Sequence, residues 1–274
     1  MDISKKISVI MGIYNCEDTL SDAIESILNQ TYTNWELIMC DDCSTDSTYQ
    51  KAKAYCEMYP EKIFLVQNEK NSKLAYSLNH CLMHATGEYI ARMDGDDKSS
   101  PFRFEKQVEY LENNPECDLV GCAMQRFNEE GLGDILFAVD NPNYYTLKNK
   151  MPFHHATILC RRKVYDELNG YTVAERTNRS QDYDLWFRFY HHGFRGDNLK
   201  EVLYYVREDA AAIRRRTAKS RILGLQTTFI GYKLLGYPKS WLVSEVLKTF
   251  VKSFIPFFAV DLYRKYQMKK NKKS

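Results

Sequence analysis

The chain is predicted to fold as an α/β domain with a mostly parallel central sheet flanked by helices, followed by a helical C-terminal extension. Three observations carry this expectation. Short β-rich runs alternate with stretches at helical spacing through the first half, the pattern of βαβ units. Two acidic clusters, Asp41-Asp42 and Asp94-Gly95-Asp96-Asp97, each close an apolar run, which puts them at the carboxyl ends of strands, where open α/β sheets bind ligands. The 274 residues, 44% hydrophobic and 27% charged, suffice for one large soluble domain with a sizeable core.

Ile7 to Tyr14 reads as the first buried strand, and Leu20, Ala23, Ile24, Ile27 and Leu28 then recur at helical spacing. Trp35 to Cys40 is the second strand and delivers Asp41 and Asp42. A helix from about Asp46 to Met58, a strand Ile63 to Gln67 and a helix from about Ser72 to Ala85 follow. Tyr89 to Met93 is the strand that ends in the second acidic cluster. Pro101, tolerated in a first helical turn, opens a helix to about Asn113. Leu119 to Phe127, Ala156 to Cys160 and Val202 to Val206 read as further strands. Gln181 to His192 reads as a helix with Leu185, Trp186 and Phe189 on one face. From about Arg214 the chain is helical to its end, apart from a turn at Gly236-Tyr237-Pro238. There is no internal repeat and no low-complexity linker.

The acidic loop admits two readings. Several carboxylates at close range repel, and a hard divalent cation, Mg²⁺ or Mn²⁺, would relieve the repulsion and complete its shell with substrate phosphates. A solvated turn, which Asp and Gly favour, is the alternative. The eight cysteines lie in apolar runs of a chain that starts without a signal peptide, which fits a reducing cytosol and small core residues. Cys40-Asp41-Asp42-Cys43 has redox spacing, whereas Cys117 and Cys122 lack the spacing of a zinc ribbon. His80 and His84, without the Glu of a zinc-hydrolase helix, read as helix-surface residues.

Read in order, Ser8-Val9-Ile10-Met11-Gly12-Ile13-Tyr14-Asn15, Ser26-Ile27-Leu28-Asn29-Gln30-Thr31-Tyr32, Trp35-Glu36-Leu37-Ile38 with Asp41-Asp42-Cys43-Ser44-Thr45-Asp46, Asn71-Ser72-Lys73-Leu74-Ala75-Tyr76-Ser77-Leu78-Asn79, Ala91-Arg92-Met93-Asp94-Gly95-Asp96-Asp97 and Gln181-Asp182-Tyr183-Asp184-Leu185-Trp186 resemble the family 2 inverting glycosyltransferases with a GT-A fold. The resemblance covers residues 7 to about 207. It implies a Rossmann-like catalytic domain over residues 1–210, with a nucleotide-binding part to about 100 and an acceptor-binding part from about 101, and a basic helical extension over 211–274.

The activity implied is transfer of one sugar from a UDP-sugar, with Mn²⁺ or Mg²⁺, to a glycan or lipid-linked glycan in cell-surface polysaccharide biosynthesis. By the same resemblance Gly12 and Tyr14 flank the uracil, and Asp42 accepts from its N3–H. Lys73 and Arg92 meet the diphosphate or the loop carboxylates, Asp94 lies near the ribose, and Asp96 holds the cation. Asp182 is the general base, with Asp184 supporting structure, and His155 faces the acceptor or phosphate region. The residues alone also allow Tyr14 as a strand-end aromatic, Asp41 and Asp42 as a capping turn, Asp182 as a helix-dipole acid and His155 as a structural histidine.

The chain departs from the family pattern at Gly12, where Pro or Thr is more usual, at Gln181, where Glu is common, and at Ala156, where Pro is common. It has no Gln-x-x-Arg-Trp segment and no membrane-spanning run, which argues against a processive membrane-embedded synthase. A nucleotidyltransferase would need a Gly-rich basic loop that Gly12-Ile13-Tyr14-Asn15 does not supply, and a UDP-binding scaffold without turnover is the remaining alternative.

Net charge is +2, yet residues 264–274 hold six cations and no acid, so the rest of the chain sums to 2 − 6 = −4. Val243, Val246, Leu247, Phe250, Phe254 and Phe258 precede that run at helical spacing. Such a basic amphipathic end suits an anionic membrane surface and would hold a cytoplasmic protein at the inner face of the membrane. A helix packed on the domain with a solvated tail is the other reading. Phe254 to Val260 is too short to span a bilayer, and no nucleic-acid recognition motif accompanies the cations.

Overall fold

The structure, a computed structural model, describes residues 5–208 and 218–254. Strands β1 (Ile7–Ile13), β2 (Trp35–Asp41), β3 (Ile63–Gln67) and β4 (Tyr89–Arg92) alternate with helices α1 (Leu20–Leu28), α2 (Thr48–Met58) and α3 (Leu74–His84). Every residue of β2 and β4 is buried, as expected of parallel strands covered on both faces. There follow β5 (Lys98–Ser99), α4 (Arg103–Asn113), β6 (Leu119–Asn128), β7 (Gly131–Leu136), β8 (Leu159–Arg161), α5 (Arg162–Leu168), α6 (Gln181–His191) and β9 (Gly196–Arg207). Two helices, α7 (Ala218–Leu234) and α8 (Lys239–Phe254), complete the described chain.

All nine strands form one sheet in the order β3-β2-β1-β4-β8-β6-β9-β5, with β7 paired to β6. The first four are parallel. β8 then runs antiparallel between β4 and β6, β9 is parallel to β6, and β5 closes the edge antiparallel to β9. Ile13 pairs with Asp41 and Ile10 with Arg92. The carboxyl ends of β1, β2 and β4 therefore lie side by side, and both acidic clusters emerge at one edge.

One core packs Ile7, Val9, Met11, Leu37 and Phe104 on one face of the sheet. The other packs Ile10, Ile38, Leu78, Trp186, Phe189 and Tyr232 on the opposite face, each large side chain contributing about 1.5–3 kcal/mol by burial. α7 joins this second core at Gly231, where a β-carbon would come within 2.1 Å of the Phe187 ring.

Several elements differ from the sequence reading. His155–Thr157 form a 3₁₀ turn and the strand begins only at Leu159, because the Thr157 hydroxyl bonds to His154 O and accepts from Cys122 N. β9 starts at Gly196, six residues before the predicted strand, since pairing with β6 recruits Gly196 to Leu199, and the register then skips Lys200 and Glu201. β7 and α5 were not expected. Val243, Val246 and Leu247 are exposed on α8, while Phe258 and the basic run 264–274 lie outside the described residues. Among the described residues no helix is long and apolar enough to cross a membrane.

Candidate active site

The carboxyl edge of the parallel strands opens into a cleft of about 1000 Å³ whose walls include Gly12, Tyr14, Asp42, Lys73, Asp94, Asp96 and Asp182. Eight acids line it (Glu17, Asp18, Asp42, Asp46, Asp94, Asp96, Asp182, Glu208) against three cations (Lys73, Arg179, Arg207), a formal balance of 3 − 8 = −5. A cleft of that sign repels a diphosphate unless a cation enters with it.

One wall of the cleft is built around Asp42. Its Oδ1 accepts from Ser72 N at 2.7 Å and Asn68 Nδ2 at 2.8 Å, and its Oδ2 accepts from Lys73 N at 2.9 Å. The second lone pair of Oδ2 is left for a further donor. Asp41 instead closes the turn, accepting from Ser44 N and Gln67 Nε2. Tyr14 is 48% exposed and presents its ring to the cleft. A β-carbon at Gly12 would meet Leu74 Cδ1 at 2.9 Å, the far end of a side chain that would have to shift. Lys73 has φ 73° and ψ 164°, a region almost confined to glycine, and its Nζ bonds Asn71 Oδ1.

Across the edge, oxygens of Asp94, Asp96 and Asp97 lie within 4.8 Å of one another. Asp94 is gripped in a bidentate fork by Arg92, whose side chain is 4% exposed. Arg92 does not line the cleft. It lies beneath the loop with both terminal nitrogens committed to Asp94, so of its two expected partners the structure supplies the loop carboxylate. Asp97 is buried, accepts from Arg207 N at 2.8 Å and from the Tyr204 hydroxyl, and is pushed well above the usual carboxylate range by burial, then by Asp94 and Asp96. Desolvation and the charge of Asp94 push Asp96 up to about 6. Its carboxylate has no side-chain donor among the described residues. Three acids held against mutual repulsion, one of them unpartnered, are what an oxygen-loving divalent cation fits.

Residues that the sequence did not single out hold this loop. Arg207 bonds Asp96 O through Nε and Asp22 through Nη2. The Tyr204 hydroxyl accepts from Asp94 N. Arg103, fully buried, donates to Arg92 O and Ile158 O. Asp97 had a visible signal, being the third acid of its cluster. Arg207 and Tyr204 had none.

On the far wall Asp182 opens α6. Its carboxylate accepts from Tyr183 N at 2.8 Å and has no ion-pair partner among the described residues, and burial raises its pKa, with the nearby Arg92 charge opposing. Asp184 is different. It accepts from Thr172, Arg176 and Arg188, which overcome the effect of burial and hold it below the usual range. His155 also stays out of the cleft lining. Its Nε2 meets the Tyr171 hydroxyl at 2.8 Å, its ring packs edge-on to Trp186, and burial followed by the Arg92 charge holds it neutral. All eight cysteines are free.

The family described as Glycosyl transferase family 2 matches residues 8–168, well over half the chain. The chain belongs to this family. As a family 2 glycosyltransferase it is 45% identical over 272 residues to EpsE of Bacillus subtilis (strain 168), a glycosyltransferase by name, covering 99% of this chain and 98% of that one. It is 33% identical over 211 residues to the O-antigen biosynthesis glycosyltransferase WbnJ of Escherichia coli, covering 73% and 79%. Among solved structures, S. aureus TarS (1–349) in complex with UDP-GlcNAc superposes with a TM-score of 0.66 at 19% identity, covering 81% of this chain and 65% of that one, so the chain spans just under two thirds of TarS 1–349. The mannosyltransferase PcManGT from Pyrobaculum calidifontis, in complex with GDP-Man and Mn²⁺, superposes with a TM-score of 0.63 at 17% identity, covering 96% and 80%. These likenesses establish the GT-A fold of the glycosyltransferase.

Proposed function

We propose that this glycosyltransferase moves one sugar from a UDP-sugar to a glycan hydroxyl with inversion, in the assembly of a surface polysaccharide. The observation that carries the reading is Asp182, a carboxylate with no ion-pair partner among the described residues that lines the same cleft as the acid triad. Relatives named for O-antigen, teichuronic acid and amylovoran biosynthesis support the pathway class, and the UDP-GlcNAc complex of TarS supports the donor class.

Asp94, Asp96 and Asp97 would hold Mn²⁺ or Mg²⁺, which when bound supplies neutralisation of the charge that develops on the departing diphosphate. The chain's own groups do the rest. Tyr14 flanks the uracil, the free lone pair of Asp42 Oδ2 accepts from its N3–H, and Lys73 adds a cation beside the diphosphate. Asp182 takes the proton of the acceptor hydroxyl as that oxygen attacks the anomeric carbon from the face opposite the leaving group. A carboxylate whose pKa burial has raised is a stronger base for that transfer. Arg92 keeps Asp94 oriented, and its charge opposes the rise that burial imposes on Asp182.

The test is UDP release from a panel of UDP-sugars with and without acceptor glycans and Mn²⁺. Acceptor-dependent release is expected. Tight UDP binding with no release across the panel would mark a scaffold instead.

The apolar stripe Val243, Val246 and Leu247 and the cations of 264–274 also fit an anionic bilayer, each cation adding about 1 kcal/mol. A relative, WfaP of Escherichia coli, is named for a diphosphoundecaprenol-linked acceptor. Sedimentation with anionic vesicles, reversed by salt, is expected; equal binding to neutral vesicles, or none, would refute the membrane reading.

A further inference from the structure

The segment leading into α6 carries Arg176 and Arg179, and the helix itself carries Arg188. Two are committed. Arg176 Nη1 and Arg188 Nε both lock onto the buried Asp184, at 2.6 and 2.8 Å. The third, Arg179, is exposed, lines the cleft three residues before Asp182, and forms no ion pair among the described residues. Its position is fixed all the same. Ser180 Oγ bonds Arg176 O at 2.7 Å and meets Thr227 Oγ1 at 3.0 Å, and Asn178 N donates to Glu175 O. A guanidinium with no ion pair among the described residues thus projects from a pinned segment into a cleft whose other charges are mostly negative.

Beside it Gln181, which also lines the cleft, has a carbonyl oxygen that is buried and without a hydrogen-bond partner. A buried acceptor left unpaired is costly, and a sugar hydroxyl would satisfy it. The remaining cleft cations have other work: Arg207 is tied to Asp22 and Asp96 O, and Lys73 stands on the wall built around Asp42.

We propose that Arg179 reads an anionic group on the acceptor, a phosphate or a carboxylate close to the hydroxyl that is glycosylated, while Gln181 Oε1 accepts from a neighbouring acceptor hydroxyl. The proposal rests on the reading of Asp182 as the base, because it is proximity to Asp182 that assigns this wall to the acceptor. The donor diphosphate is placed by the acid triad and Lys73 on the other side. A guanidinium presents two parallel donors to a phosphate or carboxylate, which an ammonium cannot do.

The experiment is calorimetry on protein saturated with UDP and Mn²⁺, titrated with three probes: a neutral alkyl glycoside, the same sugar as its 1-phosphate, and the corresponding uronide. In the unmodified protein the two anionic probes bind more tightly than the neutral one. Arg179→Ala is expected to shrink that preference about tenfold or more, and Arg179→Lys to restore part of it, because the charge returns without the fork. A larger effect on the phosphate or on the uronide identifies which source of the anion the site is shaped for. An equal loss for neutral and anionic probes, a fall in UDP affinity, or no change in the preference would each overturn the proposal. Because the readout is binding, an absence of sugar transfer would count against the proposed activity and leave this outcome to be read separately.

Discussion

Removing one charge from the acid loop should stabilise the metal-free protein and abolish its response to metal. Asp96 sits at about 6 in the folded protein against an ordinary 3.8, chiefly through desolvation and then the charge of Asp94. The folded state therefore holds this proton more tightly than the unfolded chain. The stability linked to it is fully present below about 4 and is lost as pH rises through about 6. At pH 7.5 the folded protein carries an unfavourable carboxylate, which Asp96→Asn removes. A displacement from 3.8 to about 6 is worth about 3 kcal/mol for a fully buried group. Asp96 is more than a third exposed, so solvent screening reduces this to about 1 kcal/mol, or roughly 2–4 °C in melting temperature for a domain of this size. Thermal denaturation in EDTA should show the variant melting higher at pH 7.5, with the gap closing at pH 4. With Mn²⁺ at about a hundred times its Kd the unmodified protein should gain about 2.7 kcal/mol and the variant almost nothing. A variant that melts lower in EDTA at pH 7.5, or a parent indifferent to Mn²⁺, would refute the reasoning.

Asp182→Asn should lower single-turnover transfer by about 10²–10⁴ while leaving UDP affinity, measured by calorimetry, within about twofold; transfer near the parent rate would mean another group is the base. Lys73→Gly should relieve about 1–3 kcal/mol of backbone strain and raise the melting temperature, yet weaken UDP relative to uridine. Lys73→Ala, which keeps the strain, serves as its control, and an equal melting temperature for both variants would remove strain from the account. Arg92→Met should cost about 3–5 kcal/mol in urea denaturation, since it leaves Asp94 without the partner of a buried fork; a loss under 1 kcal/mol would show that Asp94 relaxes into solvent.

The parallel half of the sheet was legible because β1, β2 and β4 are apolar, buried runs and the acids interrupt them. What secures those acids was not. Arg103 falls in a helix that also carries Glu105, Lys106 and Glu109, and pattern alone makes it a surface cation, whereas it is fully buried beneath the loop. Arg92 and His155 carry the residue types of ligand contacts, yet packing turns the first under Asp94 and the second onto Tyr171 and Trp186. β9 was half hidden because its first residues are polar and become strand only through pairing with β6. That Asp182 and Asp184 have different surroundings was readable from helical spacing: two residues apart they point to different faces, the first into the cleft and the second onto Thr172, Arg176 and Arg188.

The two bonds from Tyr204 and Arg207 to the acid loop each span 110 positions, and this bears on modularity. The family match ends at residue 168, but the loop that it contains takes its shape from β9. A fragment cut at that boundary would keep Asp94, Asp96 and Asp97 while losing the strand that aims Asp97 and anchors the amide of Asp94. Grafting a new second half onto the matched segment should therefore succeed only where the incoming strand brings its own hydroxyl and a backbone N–H to the same two places, whatever its loops do elsewhere.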